Sequence, residues 1–147
     1  MGGEWRDAYK VLLGEILIQR KRITREQLDA ALQTQKTKGG FIGEILVNLG
    51  ILDERDIVVA LVIQCGLPYI AVNKYKIDPE IVRLIPKEVS LKERVIALDR
   101  IGDILSVVMV NPLTEDKKKY LENLTKCQIA TFISTKTEIE EAIARNY

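Results

Sequence analysis

The stretch that decides the fold occurs twice: LLGEILIQ at residues 12–19 and FIGEILVN at residues 41–48. When both stretches are extended, residues 12–35 align with residues 41–64 at an offset of 29, and 7 of the 24 aligned positions are identical. A joint of five residues, KTKGG, separates the two copies. A repeat of this kind indicates an internal duplication, which has to be explained before any other motif.

Each copy is predicted to fold as a short helix, a turn and a second helix. Gly50 ends the first helix of the second copy, because glycine readily takes the left-handed conformation just past a helix end. Thr24 and Gln27 form a capping box that starts the second helix of the first copy, and Asp53 caps the matching helix. The apolar residues of each second helix recur at i, i+3 and i+4, which is typical of a helix with one buried face.

Two residue types depart from this amphipathic pattern in both copies. Gly14 and Gly43 lie inside helical stretches, where glycine costs about 1 kcal/mol relative to alanine. Gln35 and Gln64 are polar residues at the ends of the apolar faces. The glycines fit either a closely packed helix or a bound ligand, and the glutamines fit either a helix end or a ligand contact. The residues alone leave both explanations open.

The pattern changes near residue 67 to short strands that alternate with helices. RVIALD, ILSVVMV and CQIATFI are rich in branched residues and predict three β-strands, the first two joined by a turn. Between the last two strands, TEDKKKYLENLT predicts a helix with Tyr120, Leu121 and Leu124 as its apolar contacts, and the length of this passage predicts parallel neighbours. The chain is therefore predicted to be an α+β protein, with a helical unit of two duplicated helix-turn-helix motifs (residues 1–66) and a small α/β unit with a three-stranded sheet (residues 67–147).

The composition argues against an enzyme. The chain has no histidine and only two cysteines, Cys65 and Cys127, which we expect to be buried free thiols. Neither a zinc site, nor a serine–histidine pair, nor a phosphate-binding G-x-x-x-x-G-K-[ST] loop can be built from this sequence. No apolar run approaches the length of a membrane span, so we expect a cytoplasmic protein with no direct membrane insertion.

The densest basic stretch, QRKRITR from Gln19 to Arg25, joins two predicted helices. A helix-turn-helix DNA-binding regulator is therefore the alternative from another functional class. The second copy has NLGILDE at the same place, and the net charge of the chain is only +1. Because DNA binding depends on many phosphate contacts, DNA is not the partner we expect.

The duplicated pattern resembles the MshEN domain, the N-terminal part of type II secretion and type IV pilus assembly ATPases. That domain repeats R-L-G-x-x-L-V-x-x-G-x-I-x-x-x-x-L-x-x-A-L-x-x-Q across a five-residue joint, and this chain has the same spacing and a joint of the same length. The segment LPYIAVNKYKIDPEIVRLIPKEV is similar to the segment after the repeats in those ATPases. The resemblance implies a non-catalytic docking and regulatory domain, cytoplasmic and peripheral to the inner membrane through its partners. The implied partners are the cytoplasmic domain of an inner-membrane secretion or pilus platform protein and an ATPase core in the same or a partner chain.

In one branch of the family the paired motifs also bind cyclic di-GMP. For this chain the resemblance implies that cyclic di-GMP is a candidate ligand and that no cofactor is required. This chain departs from the motif, because Leu12 and Phe41 replace its leading arginines and Lys21 replaces one of its glycines. Carried over position by position, the resemblance implies ten candidate ligand-binding residues: Leu13, Gly14, Leu28, Leu32, Gln35, Ile42, Gly43, Ile57, Leu61 and Gln64.

Overall fold

The structure, a computed structural model, describes residues 13–147 except for the side chains of residues 64 and 65. The chain forms two compact units, one ending at Gly66 and the other spanning Leu67–Tyr147. The predicted free thiol of Cys65 lies outside the described residues. Cys127 is a buried free cysteine, as predicted.

Four described helices build the first unit in the order that the duplication predicts. The capping box of Thr24 and Gln27 is confirmed, with Thr24 Oγ1 accepting from Gln27 N at 3.2 Å and Gln27 Oε1 accepting from Thr24 N at 2.9 Å. Asp53 forms a second capping box with Asp56, so equivalent caps start both long helices. The helices are α1 (residues 13–19), α2 (Arg25–Lys38), α3 (Ile42–Asn48) and α4 (Glu54–Cys65).

The turns after α1 and α3 have the same backbone geometry in both copies. Gly50 has a φ of +75°, and its N–H bonds to Val47 O at 3.0 Å, which confirms its role at the end of α3. Lys21 holds the matching position with a φ of +58°. A left-handed conformation costs a residue with a side chain roughly 1–2 kcal/mol.

The second unit contains the predicted three-stranded sheet, in the order β1-β2-β3. β1 pairs with β2 as an antiparallel hairpin, and β2 pairs with β3 in parallel, as the intervening helix requires. Apolar clusters fill both faces of the sheet. The elements are α5 (Pro79–Val82), α6 (Lys87–Glu93), β1 (Val95–Ile101), β2 (Ile104–Met109), α7 (Glu115–Thr125), β3 (Gln128–Ile133) and α8 (Lys136–Asn146).

The prediction that three residues form the apolar contacts of α7 was wrong for two of them. Leu121 is buried, but Tyr120 and Leu124 are 52% and 38% exposed. Consecutive helical residues point about 100° apart. Because α7 buries Leu121 and Thr125, the preceding residues Tyr120 and Leu124 face solvent.

A hydrogen-bonded carboxylate ties the start of the second unit to α8. Burial by itself raises the pKa of Glu138, but hydrogen bonds from Tyr69, Thr135 and Ser134 outweigh it and hold that pKa below its ordinary value. The Tyr69 hydroxyl donates to Glu138 Oε2 at 2.6 Å, and Ile70 N donates to Ile133 O at 2.9 Å. These contacts keep the segment after Gly66 against the sheet.

Replacing Tyr147 with phenylalanine should lower the free energy of unfolding of the second unit by about 1–2 kcal/mol. The Tyr147 hydroxyl lies 2.7 Å from Ile85 O and 2.6 Å from Ser90 Oγ, and burial raises its pKa. Phenylalanine keeps the ring, but Ile85 O and Ser90 Oγ each lose one hydrogen-bond partner. Urea unfolding followed by circular dichroism measures the change. An unchanged transition would mean that water replaces the hydroxyl without cost.

Candidate functional site

The two unusual glycines occupy equivalent sites in the two copies. A Cβ at Gly14 would stand 2.7 Å from Leu28 Cδ2, and a Cβ at Gly43 would stand 3.3 Å from Ile57 Cδ1. Leu28 and Ile57 are themselves equivalent positions, each in the second helix of its own copy. In both copies, therefore, the missing side chain lets the first helix pack closely against the second. The closely approaching group is an aliphatic side chain of the same repeat.

Most of the ten candidate residues belong to the apolar core of the first unit. Leu61 is 0% exposed, whereas Leu32, its counterpart in the first copy, is partly exposed. Leu32 and Gln35 are the two candidates with partly accessible side chains, while the side chain of Gln64 lies outside the described residues. The buried candidates are Leu13, Gly14, Leu28, Ile42, Gly43, Ile57 and Leu61.

Gln35 closes the joint between the two copies. Its side-chain Nε2 donates to the backbone carbonyl oxygen of Gly40 at 2.9 Å. The backbone carbonyl oxygen of Gln35 accepts from Gly39 N at 2.8 Å. Gly39 and Gly40 both have positive φ values, of +73° and +96°, so the joint needs glycine at these positions. The motif glutamine thus has an intramolecular role at the end of α2. This hydrogen bond engages one of the two hydrogens of the Gln35 side-chain amide.

Two of the four basic side chains in the stretch from Gln19 to Arg25 form ion pairs within the first unit. Arg22 Nε lies 3.2 Å from Asp56 Oδ1, which links the turn of the first copy to the start of α4 in the second. Arg25 Nη2 lies 2.9 Å from Glu15 Oε1. The side chain of Gln27, near the start of α2, accepts a hydrogen bond from the backbone of Thr24 in the capping box. With two of these side chains in ion pairs and a net charge of only +1, the chain lacks the many phosphate contacts on which DNA binding depends, so we do not propose DNA binding.

The ion pair between Arg22 and Asp56 has no signal of its own in the sequence. The two residues are 34 positions apart and belong to different copies. The duplication itself is the only guide, since it predicts that equivalent turns and helices come together. Asp56 therefore takes part in a capping box and in a contact between the copies.

Comparison with known proteins assigns the family. A family model described as the MshEN domain matches residues 65–147, which is more than half of the chain. The chain belongs to the MshEN domain family.

Two pilus ATPases extend the similarity of this MshEN chain into the repeats. The chain is 35% identical over 135 residues to the type IV pilus assembly ATPase PilB of Myxococcus xanthus, covering 92% of this chain. It is 31% identical over 137 residues, again 92% of this chain, to the type IV pilus assembly ATPase PilB of Thermus thermophilus. The chain spans 24% and 15% of the lengths of these two ATPases.

Solved structures confirm the α+β fold. The structure of MshE with cdg, that is cyclic di-GMP, has a TM-score of 0.75 and 27% identity, covering 92% of this chain and 98% of that chain. The N-terminal domain of XpsE has a TM-score of 0.75 at 16% identity, covering 93% of this chain and 94% of that chain. The XpsE likeness concerns the fold alone.

The MshEN match begins at residue 65, so the family model covers the α/β unit and leaves the duplicated motifs outside its span. At the leading position of the second motif, Phe41 is the N-cap residue of α3 and is partly buried. Position 12, the leading position of the first motif, lies outside the described residues. Within residues 13–147, no cluster of three or more histidine, cysteine or acidic side chains has the arrangement of a metal site. In the same part of the chain, no helix has the length and apolar character needed to cross a membrane.

Proposed function

We propose that this chain is a non-catalytic docking and regulatory domain of a type II secretion or type IV pilus assembly ATPase. It binds the cytoplasmic domain of an inner-membrane platform protein and thereby brings the ATPase core, in the same or a partner chain, to the cytoplasmic side of that membrane. The observation that carries the proposal is the MshEN match combined with similarity to two PilB ATPases over 92% of the chain.

The residues of the chain support a binding role. Its sequence has no histidine and no phosphate-binding loop, so the ATP chemistry named for its relatives has to come from elsewhere.

Binding to the platform protein tests the docking role directly. The purified chain is titrated with the cytoplasmic domain of the platform protein from the same transport system, and the heat of binding is measured. We expect a saturable complex in the micromolar range, which is typical of small transient interfaces. No heat at protein concentrations of tens of micromolar would reject docking through this domain.

A second candidate function is cyclic di-GMP recognition by the repeated motifs. MshE, whose structure includes that nucleotide, matches this chain at 27% identity, and the match covers 98% of the solved MshE chain. The two copies keep the motif glycines and glutamines at an offset of 29. They lack the motif arginines, and leucine or phenylalanine cannot supply the charged planar fork that pairs with phosphate.

Calorimetry on the natural chain and on two sets of variants tests the receptor function. If the site is intact, the natural chain binds cyclic di-GMP, and Gln35→Ala and Gln64→Ala each weaken binding about tenfold, a loss that one hydrogen bond to a charged or polar ligand accounts for. In the second set, Leu12→Arg and Phe41→Arg together restore the motif. Binding only by this restored variant would mean that the scaffold remains competent and the natural chain has lost the receptor function.

A further inference from the structure

The outer face of α4 is apolar and exposed. Val59, Val62 and Ile63 are 39%, 36% and 57% exposed. They follow one another at i, i+3 and i+4, so they form one continuous patch on the side of α4 away from its buried residues. Arg55, also exposed, stands one turn before Val59 on the same face. We call these four residues the α4 outer stripe.

The duplication supplies an internal comparison for this stripe. In the first copy, the positions that match Val59, Val62 and Ile63 hold alanine, glutamine and threonine, and Glu26 matches Arg55. The inner faces of α2 and α4 keep the same alanine and leucine at matching positions. The helix-turn-helix scaffold therefore does not need aliphatic residues on its outside. The matched positions of the first copy are Glu26, Ala30, Gln33 and Thr34.

A helix that is apolar on its inner face and also along an outer stripe is normally covered on both sides. Leaving three large aliphatic side chains in water forfeits the hydrophobic free energy that their burial provides. The first copy has no such aliphatic residues at the matching positions, so the difference points to a contact made by the second copy alone.

The size and charge of the stripe argue against a second copy of this chain as the occupant. A stable interface buries roughly 800 Å² on each partner, and three partly exposed aliphatic side chains are only part of such an area. In an antiparallel pairing of two α4 helices, Arg55 would face the region around Gly66 of the other copy. Residues 66–77, which continue the chain from that end of the helix, contain no acidic residue that could pair with the arginine.

We infer that the α4 outer stripe binds an amphipathic helix of a different protein. That helix carries aliphatic side chains at i, i+3 and i+4 and a carboxylate about one turn from them, which pairs with Arg55. The inference rests on the proposed docking function and assigns that function to one surface, so the helix belongs to the cytoplasmic domain of the platform protein. The contact is one anchor within a wider interface.

Transplanting the first copy's outer residues onto the second copy tests this assignment. The variant Val59→Ala, Val62→Gln, Ile63→Thr uses residues that the same scaffold already accepts at the same positions. Titrated with the cytoplasmic domain of the platform protein, it should bind about tenfold to a hundredfold more weakly than the natural chain, because the central apolar anchors of an interface carry most of its affinity. Arg55→Glu should also weaken binding, and the loss should shrink as salt is raised.

The matched control is Ala30→Ser with Gln33→Ala on α2, which should bind like the natural chain. If the transplant variant binds with the affinity of the natural chain, the α4 outer stripe is not the binding surface, but the proposed docking function is unaffected. If the natural chain itself does not bind, both the docking function and its assignment to the stripe are rejected.

A melting temperature of the transplant variant that is several degrees below that of the natural chain would mean that another part of the same chain covers the stripe. A dimer of the natural chain that the transplant dissociates, measured by sedimentation, would make the stripe an interface between copies; either result overturns the inference.

Discussion

Replacing Leu61 with alanine is expected to lower the free energy of unfolding by about 2–5 kcal/mol, the range for leucine in a closed core. Leu61 is 0% exposed, on the inner face of α4. The loss combines the transfer free energy of the removed carbons with a cavity that the surrounding helices cannot fully close. Chemical denaturation followed at the helical circular dichroism band measures it.

The first copy offers a matched control for this prediction. Leu32 is the equivalent residue of α2, and its side chain is partly exposed. Leu32→Ala should therefore cost clearly less, because less apolar surface leaves water when the chain folds. Equal losses at the two positions would contradict the burial difference between the copies.

The same comparison affects how ligand-binding experiments are interpreted. The family resemblance names both leucines as candidate contacts for cyclic di-GMP, yet Leu61 is fully buried in the described structure. If Leu61→Ala abolishes nucleotide binding, part of that loss comes from a less stable unit. Gln35→Ala is the cleaner probe, because it removes one hydrogen bond at the joint and creates no cavity in the core.

Features encoded within a few residues could be predicted from the sequence. The cap at Thr24 and the glycine turn at Gly50 both depend on neighbours in the chain, and the structure contains both of them. The parallel pairing of β2 and β3 could be predicted from the length of chain between them. Each of these depends on short-range sterics or on a chirality rule that holds in nearly every fold.

Features that depend on how helices rotate against a neighbour could not be predicted in this way. Tyr120, Leu121 and Leu124 are all apolar, and only the packing of α7 on the sheet decides that Leu121 faces inward. The contact of Arg22 with Asp56 likewise joins distant parts of the repeat. For the candidate site, the sequence located the unusual glycines and glutamines but left open what they touch. The structure identifies the neighbours of Gly14, Gly43 and Gln35 as groups of the same chain.

Replacing Gly14 with alanine should destabilise the first unit, although alanine is the better helix former. The added Cβ would stand 2.7 Å from Leu28 Cδ2 and 3.0 Å from Leu28 Cδ1, and Leu28 is buried. Overpacking of a core costs about 1–3 kcal/mol, while the gain in helix propensity is about 1 kcal/mol. We expect a net loss of up to roughly 2 kcal/mol. At Gly43 the nearest atom is 3.3 Å away, so Gly43→Ala should change stability by clearly less.

A double-mutant cycle separates crowding from every other cause. Leu28→Ala removes all three side-chain atoms that crowd a Cβ at position 14. In that background Gly14→Ala should stabilise the unit by about 1 kcal/mol, because only the helix-propensity gain remains. The sign of the Gly14 substitution therefore reverses with the identity of residue 28. If Gly14→Ala is equally destabilising in both backgrounds, close packing against Leu28 is not why the first copy has glycine there. A ligand or backbone approach would then have to account for the repeated glycine.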